Sequence, residues 1–92
     1  MYTVIAYDIT DARRLHKVAR IMEDYGRRVQ FSVFEADISR RRLAEIQQRV
    51  ANTIDDANDG VKYFPLCERC LQHVAVYGVG ELPAATARYL VL

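Results

Sequence analysis

Long apolar runs are missing from this chain. None exceeds a few residues, far short of the roughly 20 that a membrane-spanning helix needs. That argues against a membrane-spanning helix, and no membrane partner is expected. Cysteine is scarce too. Cys67 and Cys70 are the only two, too few and too close together for the disulfide framework of a small secreted domain. The start, MYTVIAYD, lacks the basic opening and small-residue cleavage site of a signal peptide. These absences together predict a cytoplasmic protein. No internal repeat, low-complexity tract or Pro/Gly-rich linker divides the chain, so residues 1–92 are read as a single domain. GxGxxG, P-loop, HExxH and GxSxG signatures are all absent, and with them the chemistries that those motifs position.

What remains is globular. Apolar residues make up 51% of the chain, too many for a disordered segment. A chain of 92 residues buries a smaller share of its surface than a larger domain, so its core is marginal alone. The net charge is only +1, but it is uneven. Residues 1–50 hold ten Lys/Arg against seven Asp/Glu, and residues 51–92 hold three against five. Arg13, Arg14, Lys17, Arg20, Arg27, Arg28 and Arg40 to Arg42 all fall in the basic half. They are either a solvated helix surface or a surface that attracts phosphates.

The pattern of elements comes next. Tyr2 to Asp8 places Tyr2, Val4 and Ala6 on one face and Thr3, Ile5 and Tyr7 on the other. Both faces are largely apolar, which predicts a central strand covered on two sides. Leu15, Val18, Ala19, Met22 and Tyr25 recur at helical spacing, predicting a helix over about 11–25. Thr10 or Asp11 would cap its start, and Gly26 would supply a left-handed C-terminal residue. Arg27 to Asp37 alternates as a strand does, either one strand or two short ones bent near Ser32. Ser39 caps a second helix, whose apolar stripe is Leu43, Ile46, Val50 and Ile54. Asp55 to Gly60 is a turn. VKYFPLC then reads as a strand, with Pro65 confining it to an edge or ending it. His73 to Gly80 and a final stretch at about 86–92 read as further strands.

This order predicts an α+β sandwich of the ferredoxin-like kind, an antiparallel sheet with two helices on one face and an extra C-terminal strand. Right-handed crossovers put both helices on the same face. The other apolar face then needs cover, and a second copy of the sheet provides it, so the expected state is a homodimer.

Asp8 ends the central strand. It either closes the strand in water or serves as a functional carboxylate. Thr10 and Asp11 leave it unneeded as a cap. A two-fold axis near this strand would bring two Asp8 side chains together, and two close carboxylates call for protons or a cation between them. A hard cation such as magnesium suits oxygen ligands of this kind, completed by water and phosphate. Cys67 and Cys70 have CxxC spacing, but four ligands make a structural zinc site, and His73 would be only a third. They are structural or incidental, a metal site shared across a dimer, or a redox pair. Arg40 to Arg42 sit in the first helical turn, where the helix dipole prefers acids; a phosphate contact would explain them.

VIAYDITDARRLHKVARIMEDYG, followed by RRVQFSVFEADIS and later LCERC, resembles the CRISPR-associated Cas-two family, the small adaptation subunit. The resemblance runs nearly the whole chain. It implies a ferredoxin-like homodimer whose C-terminal strand, about 86–92 here, packs on the partner subunit. It implies magnesium-dependent (or other divalent cation-dependent) endonuclease activity on RNA or double-stranded DNA. It also implies a role in spacer acquisition beside a CRISPR integrase. By motif match Asp8 is the metal-binding and catalytic aspartate, and Tyr7 precedes it. Arg28 and Phe34 match positions implicated in activity, and Leu15 stands where some members are basic. Arg13, Arg14, Lys17, Arg40, Arg41 and Arg42 are the candidate nucleic-acid contacts. The competing class is a toxin-like endoribonuclease that cleaves mRNA independently of CRISPR.

Overall fold

A computed structural model describes residues 1–78 of the chain. Its elements run β1 (Tyr2–Asp8), α1 (Ala12–Glu23), β2 (Arg27–Gln30), β3 (Val33–Asp37), α2 (Arg40–Ala51), β4 (Gly60–Leu66) and α3 (Glu68–Gln72). The four strands form one antiparallel sheet in the order β2-β3-β1-β4. β1 is therefore central, as its two apolar faces require.

Strand alternation sorts the side chains of β1 onto two faces. Thr3, Ile5 and Tyr7 face the helices. Ile5 and Tyr7 join Phe34 and Ala36 of β3, Val18, Ile21 and Met22 of α1, and Leu43, Ile46 and Val50 of α2 in one core cluster. Tyr2, Val4, Ala6 and Asp8 point the other way. On that face Leu71 of α3 packs with Tyr2, Val4 and Leu66 in a second, smaller cluster. α3 therefore covers the Tyr2 end of the face. Toward the other end, Val4, Ala6 and Val33 are only half-buried and Phe64 is exposed.

Residues 27–37 form two strands rather than one. The chain reverses at Phe31 and Ser32, and Gln30 pairs with Val33. No non-glycine residue among the described ones has a positive φ, so this is not the glycine-dependent turn of most tight hairpins. Instead the register slips between Arg28 and Gln30, with Val29 as the extra residue of a bulge that adds local twist.

Asp11 caps α1, its carboxylate accepting from the Arg14 N–H at 3.0 Å. Thr10, the other candidate cap, turns to Asp59 instead. Ser39 caps α2 by accepting from the Arg42 N–H at 3.2 Å. Three arginines in the first turn of α2 oppose the helix dipole, at up to about 1 kcal/mol each. Burial of Leu43, Ile46 and Val50 outweighs that, at about 1.5–3 kcal/mol each.

Two expectations fail here. Gly26 is not left-handed, because the one positive-φ glycine among the described residues is Gly78. Gly26 is needed for closeness: a Cβ there would lie 2.0 Å from the Glu35 carbonyl oxygen and 2.9 Å from the Ala36 Cβ. Residues 73–78 are also not a strand. Alternation alone does not make a strand without a ladder partner, and no described strand pairs with this segment. The sequence reading missed α3 altogether. The expected strand at about 86–92 lies outside the described residues. Pro65 sits on β4, an edge strand of the described sheet, where its missing N–H is tolerated.

Candidate functional site

β1 carries Tyr7 and Asp8 to opposite sides of the sheet. Asp8 is exposed, at the last β1 position, across from Gly60. Its carboxylate has no hydrogen bond or ion pair with any described residue. Tyr7 is buried at 5% exposure. Its hydroxyl makes a long contact to the Phe31 carbonyl at 3.5 Å, and its ring lies 6.2 Å from that of Phe34. Burial raises the Tyr7 phenol pKa, and the nearby Arg28 charge partly offsets the rise. Phe34 is itself buried, with the Arg28 guanidinium over its ring at 5.5 Å, a cation–π contact. The structure thus unites Tyr7, Arg28 and Phe34 on the helix side and leaves Asp8 apart on the other.

The basic candidates lie on the helix layer. Arg13 and Lys17 are exposed on α1, and Arg40 and Arg41 on α2. Lys17, Arg20, Asp24, Arg49 and Thr53 line a shallow groove between the two helices. Arg42 and Arg49 both lie over the Tyr25 ring, at 4.9 and 5.5 Å. Arg42 also approaches Glu45 at 3.6 Å, and Arg49 pairs with Asp24 at 3.0 Å. The contacts of Arg42 and Arg49 with Tyr25 and of Arg49 with Asp24 hold the end of α1 against α2.

Arg14 has a structural partner. Its Nε donates to Asp59 at 2.7 Å and its Nη2 to the Thr10 hydroxyl at 3.2 Å. Asp59 also accepts from the Thr10 and Asp55 N–H groups and from the Thr10 hydroxyl. The Asp59 side chain is fully enclosed. Arg14 above all holds its carboxyl well below the usual carboxylate range. This clamp fixes Thr10, two residues after Asp8, to the turn before β4. The sequence reading missed Asp59, because nothing local separates it from the other acids of DDANDG.

Glu35 is a second unforeseen feature. It is buried on the Tyr2 side of the sheet and accepts from the Tyr2 hydroxyl and from the Arg27 Nε. Burial first, and the Glu35 carboxylate second, push the Tyr2 phenol up.

Among the described residues no three His, Cys, Asp or Glu side chains cluster in a way that could hold a metal. Asp8 fits the role of one carboxylate ligand, because it is exposed and not engaged, and magnesium commonly takes one or two carboxylates with water and phosphate.

A small α+β unit with α1 and α2 on one side of an antiparallel sheet, and an exposed, unengaged carboxylate at the end of its central strand on the other, defines a compact structural class. The chain belongs to the family of CRISPR associated protein Cas2, whose family model matches residues 1–74. It is 41% identical over 75 residues, 82% of each chain, to a protein of Synechocystis sp. named CRISPR-associated endoribonuclease Cas2 3. It is 34% identical over 91 residues to a protein of the same name from Chloroflexus aurantiacus, covering 99% of this chain and 98% of that one. The crystal structure of Streptococcus pyogenes Cas2 at pH 6.5 matches with a TM-score of 0.76 and 30% identity, over 85% of this chain and all of the other. No helix among the described residues is long and apolar enough to cross a membrane.

Proposed function

We propose that this protein acts as a homodimer in CRISPR spacer acquisition, holding spacer DNA beside the integrase, with a divalent-metal endonuclease activity centred on Asp8. One observation carries this reading. Asp8 is an exposed, unengaged carboxylate on the sheet face that α1 and α2 leave bare. Half-buried Val4, Ala6 and Val33 with exposed Phe64 give that face a reason to close over a second copy. Such closure would bring Asp8 near the partner's Asp8. The strand order supports a ferredoxin-like fold. Relatives named endoribonucleases support the nuclease reading.

Magnesium at a carboxylate pair would polarise a phosphodiester and orient a water molecule. The protein's own part is to hold the carboxylates rigidly at the strand ends, which the Asp59 clamp assists. Arg13, Lys17, Arg40 and Arg41 would attract phosphates by charge, with salt-sensitive binding. Arg14 and Arg42 have structural partners and contribute less. Tyr7 and Phe34 would act by supporting the strand rather than by touching substrate.

The test is Asp8→Ala, assayed in parallel for cleavage of RNA and double-stranded DNA with magnesium or EDTA, and for spacer acquisition. The expected result is lost cleavage, with dimer, duplex binding and acquisition retained. Cleavage that survives the substitution overturns the nuclease assignment. Acquisition lost from an intact dimer overturns the bridging role. A monomer in native mass spectrometry overturns the shared site.

A further inference from the structure

Two thiols sit together on the outside of the molecule, just past the Leu66 end of β4, whereas Asp8 lies across from Gly60 at its other end. Cys67 immediately precedes α3 and Cys70 lies in its first turn. Both are exposed and unbonded, and their sulfurs are 3.5 Å apart. That is close to van der Waals contact. A disulfide needs about 2.05 Å, so closing the pair requires roughly 1.5 Å of approach, within reach of side-chain rotation at two exposed positions. A metal site is the weaker reading, because the described residues add no third donor to these two sulfurs, and zinc takes four.

We propose that Cys67 and Cys70 form a reversible dithiol–disulfide couple that exchanges with low-molecular-weight disulfides. The Cys67 thiolate attacks one sulfur of an oxidant R–S–S–R. That S–S bond breaks, a Cys67–S–S–R bond forms, and R–S⁻ leaves and takes up a proton. Cys70 then gives its proton to solvent and attacks the Cys67 sulfur. The intramolecular disulfide forms as a second R–S⁻ departs. Two electrons pass to the oxidant, which ends as two R–SH.

The environment assigns the order of attack. The N–H of Cys70 and then its thiol draw the Cys67 pKa down, while the adjacent Cys67 sulfur raises that of Cys70. Thiolate fraction favours Cys67 as the first nucleophile. The structural consequence is local to α3. The Cys67 carbonyl accepts from the Leu71 N–H at 3.0 Å, and Leu71 packs on Tyr2. The disulfide therefore tethers the turn that seats α3 on the sheet.

The test uses the full chain, equilibrated with oxidised and reduced glutathione at a series of ratios, acid-quenched, alkylated with N-ethylmaleimide and weighed intact. These are the only two cysteines, so the mass readout is unambiguous. The expected result is a species lighter by two hydrogens that takes up no label. Its fraction rises with the oxidised share, does not depend on protein concentration and reverts with dithiothreitol. Cys70→Ser should trap a glutathione adduct on Cys67 faster than Cys67→Ser traps one on Cys70. Circular dichroism matching the parent confirms that both variants fold. Full double labelling at every ratio overturns the proposal. So does oxidation that appears only as linked pairs of chains, or protection from label that zinc confers and EDTA removes without loss of two hydrogens.

Discussion

Arg14 and Asp59 lie 45 positions apart in sequence, yet the Arg14 Nε meets the Asp59 carboxylate at 2.7 Å. The contact ties the first turn of α1 to the turn before β4, on either side of the strand end that carries Asp8. Asp59→Asn keeps the shape but removes the charge that the guanidinium pairs with. It should lower the melting temperature by about 5 °C or more, read by thermal denaturation at neutral pH.

The same clamp has a pH signature. The Asp59 carboxyl is held below its ordinary value of 3.8. A depressed folded-state pKa contributes stability that is fully present above the unfolded value and drains away as pH falls toward the folded one. The parent should therefore lose stability steeply below about pH 4. Asp59→Asn should lose less over the same range, measured by urea unfolding at stepped pH. Parallel curves for the two proteins would refute the linkage.

Asp8→Ala should leave stability within about 0.5 kcal/mol of the parent. Asp8 is exposed and has no partner among the described residues. Denaturant titration is thus the control that makes any loss of activity interpretable.

Phe34 behaves differently. It is 1% exposed, among the largest fully buried side chains of the core. Phe34→Ala should cost about 3–5 kcal/mol and reduce activity through loss of folded protein. Activity normalised to the folded fraction should recover, and more so in Phe34→Leu. A normalised loss in Phe34→Leu would instead place the ring in contact with substrate.

Gly26→Ala should be among the most damaging single-methyl additions. The new Cβ would meet the Glu35 carbonyl oxygen at 2.0 Å, a backbone atom of β3 that cannot swing aside. A cost of about 2 kcal/mol or more follows from overpacking at this site, read from the urea midpoint.

Thr3→Val should do the opposite. Thr3 is fully buried and its hydroxyl has no hydrogen-bond partner among the described residues. Replacing an unsatisfied hydroxyl with a methyl should stabilise by about 1 kcal/mol.

Local pattern made much of this fold legible. The two-sided apolarity of Tyr2 to Asp8 marked β1 as central, and the stripe of Leu43, Ile46 and Val50 marked α2. What escaped was set by contacts distant in sequence. Gly26 follows a helix, where a left-handed residue is the common expectation, but its real constraint is the approach of Glu35. His73 to Gly78 alternates like a strand, yet strands also need neighbours. α3 spans only five residues, too short for periodicity to register. Within the site, Asp8 stood out by its position after an apolar run. Tyr7 beside it gave no sign that it faces the core, except through the parity of the strand. Asp59 and Glu35 were invisible because their partners, Arg14 and Tyr2, are far away along the chain.

The parity of β1 also limits how this sequence can drift. One residue gained or lost between Tyr2 and Asp8 would swap the two faces from that point on. The carboxylate would turn toward the helices and the Tyr7 ring into water. Length changes are better absorbed at the hairpin tip, where Phe31 is 93% exposed and no special backbone angle is required. Descendants of this chain can lengthen there and keep Asp8 in place, whereas an insertion within the first strand would remove it from the surface in a single step.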